Sequence, residues 1–141
     1  MNDLPKTFTA ETAPREVIAL AESLVPQLLV GEHLAMIVLR EQYDRVQISS
    51  VDLTGVGFFV NYEVPDDSPR TKPPDIVGGH ADIEAEGLSI DAGCVLFVRD
   101  GLLSFLEIYT YGDSEVWSEQ MKVIAIKNIS PLCPPAESIT S

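Results

Sequence analysis

Two groups of side chains in this chain have residue types and spacings that could do chemistry. In "HADIEAEG", His80, Asp82 and Glu84 alternate, so on a strand all three would project from one face, with Glu86 continuing the row. Imidazole and carboxylates are ligands for a divalent metal, and a metal-bound water in such a row would make a metal-assisted hydrolase. Alternate strand residues stand about 7 Å apart, which is wide for one ion. The competing reading is an amphipathic strand whose acids are only its solvated face, with Ala81, Ile83 and Ala85 turned to the core. The second group lies in "LSFLEIYTYGDSEVW". There Tyr109, Tyr111 and Trp117 flank a turn carrying Asp113, Glu115 and Glu119. Aromatic anchors ringed by charge of one sign are what a protein-docking patch contains. Its competitor is a lid, in which Trp117 folds back on the sheet edge and the acids solvate the turn.

Other chemistries find little support. His33 and His80 are the only histidines, no nucleophile elbow is present, and Cys94 sits in an apolar run. Gly78 and Gly79 follow a loop rather than a strand that opens into a helix, so they let the chain turn and do not cradle a phosphate. Cys94 and Cys133 lack the companions of a metal or redox motif, and no disulfide is expected between them. No cofactor is expected.

Charge narrows the partners. The chain has 22 acidic against 9 basic residues, a net charge of −13. A nucleic-acid backbone or an anionic membrane surface is repelled at long range, and a basic protein is attracted. From His80 to Gln120 there are nine acids against Arg99 alone, a net of −8, so most of the excess falls in the stretch that holds both candidate groups.

The elements that must position these groups follow from periodicity. With 141 residues and 45% hydrophobic content, one domain with a real core is expected. Residues 1–13 read as a flexible leader, 14–130 as the domain, and 131–141 as a disordered tail. From Pro14, Val17, Leu20, Ala21, Leu24 and Leu28 recur at helical spacing, and Pro26 predicts a kink or break near Val25. After Gly31 the patterns turn to β: "HLAMIVLRE" reads as a covered strand, "RVQISSVDL" as a strand with a bulge at Ser49 and Ser50, and "VGFFVNYEV" as a half-buried strand. A proline-rich loop of about 15 residues follows. Asp100 and Gly101 predict a two-residue turn in the hairpin "CVLFVRDGLLSFLEIYTYG", with Arg99 facing Leu102, Val98 facing Leu103 and Leu96 facing Phe105. "MKVIAIKNI" closes the set. The expected fold is α+β, with one N-terminal helix on a mainly antiparallel sheet of about six strands. The N-terminus lacks a signal-peptide layout and no apolar run reaches spanning length, so a soluble, cytoplasmic, non-membrane protein is expected.

The runs "REQY", "DLTGVGFFV" and "VLFVRDGLLSFLEIYTYGDSEVW", spanning roughly residues 30–120, resemble a group of small bacterial proteins to which no function is assigned. The resemblance implies a bacterial cytosolic single domain and transfers no catalytic residue, ligand or partner. In size and acidity the chain is also similar to immunity proteins that neutralise basic toxin domains, a likeness of physical type only.

Overall fold

The helical spacing after Pro14 becomes helix α1 (Arg15–Leu28) in the computed structural model, which describes residues 6–112 and 116–134. Its buried stripe is Val17, Leu20, Ala21, Leu24, Val25 and Leu28. The break expected near Val25 does not occur. Pro26 sits in the last turn, where it forgoes the bond to the Glu22 carbonyl, and the helix nonetheless continues to Leu28.

A larger correction concerns "HLAMIVLRE", which forms helix α2 (Leu34–Tyr43) and not a strand. His33 caps it, its Nδ1 accepting a hydrogen bond from the Ala35 N–H at 3.0 Å. The buried residues Ala35, Met36, Leu39 and Gln42 recur at helical spacing, while Leu34 and Ile37 face out at 65% and 42% exposure. Those two apolar residues on the solvent side fill in the polar positions and make a helix resemble a doubly covered strand.

Eight strands complete the described residues: β1 (Lys6–Phe8), β2 (Gln47–Leu53), β3 (Gly57–Glu63), β4 (Ile76–Gly78), β5 (His80–Ala85), β6 (Ala92–Arg99), β7 (Leu102–Thr110) and β8 (Val123–Ser130). They form one sheet in the order β1-β2-β3-β7-β6-β5-β8, with β4 beside β6 off that path. Its pairings are antiparallel. The fold is therefore α+β with two helices and a mainly antiparallel sheet of eight strands. No helix among the described residues is long and apolar enough to cross a membrane.

Two local predictions hold at residue level. The β2–β3 register shifts between Ile48 and Ser50, which is the bulge expected there. Asp100 and Gly101 form the β6–β7 turn with φ of 55° and 79°, the positive pair that a two-residue hairpin turn requires. Arg99 pairs with Leu102 and Val98 with Leu103, but Leu96 pairs with Leu106 and not with Phe105. A second register shift, between Phe97 and Val98, leaves Ser104 as the extra residue of β7. The slip turns Leu106 and Ile108 inward with Leu103 and sends Phe105 to the opposite face.

The inner face carries Phe58, Val60, Ile83, Leu96, Leu106 and Ile108, and the two helices close over it as one apolar cluster. Full burial of each such side chain is worth about 1.5–3 kcal/mol. Gln42 is the polar exception. Its Nε2 donates to the carbonyls of Pro69 and Gly101, both at 2.8 Å, and its Oε1 accepts from the Leu103 N–H at 2.9 Å. The proline-rich loop is thereby tied to the hairpin turn, a tie strengthened by Gly101 N–H to Pro74 O at 2.7 Å and by Arg70 on Asp100 at 3.0 Å.

The ends of the domain are more ordered than expected. Within the leader, Lys6–Phe8 pairs with β2, with Phe8 packed on the core and Thr7 donating to Asp52 at 2.8 Å. Beyond β8, Leu132 is buried and its N–H donates to Leu28 O at 2.8 Å. Phe8 and Ala13 in the first segment and Leu132 in the second reach the core, so residues 6–13 and 131–134 pack as part of the fold.

Candidate functional site

Alternation on β5, β6 and β7 places one set of side chains on the sheet face away from the helices. Ala81, Ile83 and Ala85 are buried, so His80, Asp82 and Glu84 project outward, as the amphipathic reading requires. On β7 the outer residues are Phe105, Glu107 and Tyr109, and on β6 they are Gly93, Val95 and Phe97. Phe59 and Asn61 of β3 continue the face.

The two candidate groups meet here, because β5 and β7 flank β6. Asp82 collects three donors. Asn128 Nδ2 donates to its Oδ2 at 2.8 Å, and Tyr111 Oη donates to its Oδ1 at 3.1 Å. His80 Nε2 lies 3.1 Å from the same Oδ1 and 3.3 Å from Tyr111 Oη. Asn128 reaches Asp82 from a backbone position with φ of 52°, at an irregularity in the β5–β8 pairing. These hydrogen bonds, Asn128 first, hold the Asp82 carboxyl below the usual carboxylate range. Burial, and then Asp82 as acceptor and as charge, push the Tyr111 phenol up.

Gly93 makes the arrangement possible. A Cβ there would stand 2.6 Å from Tyr111 Oη and 3.0 Å from Tyr109 Cζ, so the two rings occupy the space that a side chain would take. Tyr109 and Tyr111 meet edge to face, centroids 5.8 Å apart.

Glu84 does not join this group. Its carboxylate faces Lys127 at 3.5 Å, and Lys127 is shared with Asp91 at 3.0 Å. Among the described residues no three His, Cys, Asp or Glu side chains converge to hold a metal ion. Neither Cys94 nor Tyr111 is placed among the described residues as an activated nucleophile. Cys94 points to the inner face, where burial pushes its thiol up to about 11, and the Tyr111 hydroxyl is spent on Asp82.

Trp117 is 2% exposed and stacks edge to face on Phe58 of the inner face at 5.3 Å. It is a core lid, and it is not available as the docking anchor that its neighbourhood suggested. Its N–H donates to Gly55 O at 3.0 Å, which fixes the returning chain. Asp113 and Glu115 lie outside the described residues.

Toward the hairpin turn the same face bears residues that sequence reasoning missed. Phe97 and Phe105 stack at 4.2 Å, Phe59 meets Phe105 edge to face at 5.6 Å, and the Arg99 guanidinium lies 5.2 Å from the Phe105 centroid. The stripe depends on the β7 bulge, which no residue near Ser104 signals and without which Phe105 is assigned to the core. Comparison with family models, with curated proteins and with solved structures finds no match.

Proposed function

We propose that the protein is a non-enzymatic binding module whose uncovered sheet face docks a basic protein. One observation carries this reading: Phe59, Phe97, Phe105, Tyr109 and Tyr111 lie side by side and partly exposed on a face that neither helix covers. Glu107, Asp82, Glu84 and Asp52 stand among them or at their margin. Protein interfaces concentrate aromatic side chains centrally and leave charge at the rim, and the net charge of −13 selects a basic partner. Arg99 resting on Phe97 and Phe105 is an intramolecular instance of a guanidinium taken up by this face. The protein then acts as immunity proteins do in physical type, by covering a basic surface in a bacterial cytoplasm.

The test is affinity capture from lysate at low and high salt, with wild-type bait beside a Glu107→Lys/Tyr109→Ser bait. The expected partner is basic, is lost from the variant bait, and binds more weakly as salt rises. Capture that is indifferent to both the variant and the salt refutes the reading.

A further inference from the structure

On the opposite side of the molecule an open cleft of about 590 Å³ lies between α1, the α2–β2 junction and β3. Ile18, Ala21, Val46 and Ile48 give it apolar walls. Two phenols enter it: Tyr43 from the last turn of α2, and Tyr62 from β3 directly across from Ile48. Two carboxylates edge it, Glu22 of α1 and Glu11 of the β1–α1 connection.

Among the described residues no hydrogen bond engages either phenol and no ion pair engages either carboxylate. Burial first, then the charge of Glu22, push the Tyr43 phenol up, and burial, Tyr43 and Glu22 do the same to Tyr62. Both phenols therefore stay neutral at physiological pH, and both residues line the cleft. An anion meets two carboxylates here and is repelled. A purely apolar ligand fills the walls and leaves the polar rim unanswered. A cation on an apolar stem satisfies both, since its charge meets Glu11, Glu22 and the two phenols while its methylenes cover the isoleucines.

We propose that this cleft binds an aliphatic ammonium group, carried by a small alkylamine or by a lysine side chain. The site is separate from the outer sheet face and stands whether or not that face docks a partner.

The experiment is an NMR titration of the whole chain, methyl and amide resonances together, with three probes: n-butylammonium, n-butanol as its neutral isostere, and Nα-acetyl-lysine methylamide. Expected are saturable shifts centred on Ile18, Val46, Ile48 and Tyr62 with butylammonium and none with butanol. Glu22→Gln should weaken binding by about fivefold. Glu22 is exposed on α1, so the variant folds, as its amide spectrum verifies, and Glu11→Gln provides a second, independent loss. Equal affinity of the lysine amide assigns the site to protein lysines, and binding of butylammonium alone assigns it to small amines. Shifts scattered over the acidic surface without saturation, an equal response to butanol, or indifference to both glutamine variants overturns the proposal.

Discussion

The two faces of β3, β6 and β7 are built from alternate residues of the same strands, yet they do different work. Inward, Phe58, Val60, Leu96 and Leu106 have no exposed surface and share one apolar cluster with the buried stripes of both helices. Outward, Phe59, Phe97, Phe105 and Tyr109 are only partly covered and lean mainly on one another. A side chain removed from the inner face leaves a hole that nothing can fill. One removed from the outer face leaves a gap that water can enter. Stability therefore resides on one side of the sheet, and capacity for association on the other.

Variants can break or sharpen that contrast. The largest effect is expected for Trp117→Ala, which empties a site closed by Phe58 and should cost about 3–5 kcal/mol in denaturant unfolding. Gln42→Ala comes next, at about 2–3 kcal/mol, because it strands the buried Leu103 N–H and removes a donor from two carbonyls. Gly101→Ala should cost about 1–2 kcal/mol, since its φ is 79° and a Cβ would stand 2.5 Å from that of Arg70. If these three differ little from outer-face substitutions, the division of labour between the faces is wrong.

On the outer face the readouts are chemical more than thermodynamic. Gly93→Ala should push the Tyr111 ring off Asp82, and a spectroscopic phenol titration should show one tyrosine moving down toward its ordinary 10.0. Asp82→Asn is the smallest change, and its difference from the wild type is lost in acid. The folded state holds this carboxyl below the ordinary 3.8, so its contribution is complete above that value and disappears as pH falls through the lower folded value. Thermal melts of the two proteins should therefore converge on the acid side and differ by a constant above it.

Local chemistry was readable from sequence wherever one or two residues decide the outcome. Asp100–Gly101 specifies its turn, Ser49–Ser50 its bulge, and the alternation of β5 its outward row. Failure came where distant contacts decide. Leu34 and Ile37 disguised α2, and nothing near Ser104 announces that β7 slips by one residue and turns Phe105 over. The candidate site was half legible for the same reason. His80, Asp82 and Tyr111 were each singled out, but their meeting depends on β5 and β7 both lying beside β6, and Asn128 arrives from a strand 46 residues further along.

The irregular pairing of β5 with β8 also bears on solubility. Among the described residues β8 pairs only with β5, so it presents a row of backbone groups that a second chain could extend into a fibre. Two register shifts, the left-handed Asn128 and the charge of Lys127 spoil that row as a template. A neighbouring copy would have to match an uneven ladder while bringing another −13 charges with it. The same Asn128 that completes the Asp82 cluster thus helps keep the chain from polymerising through its last strand.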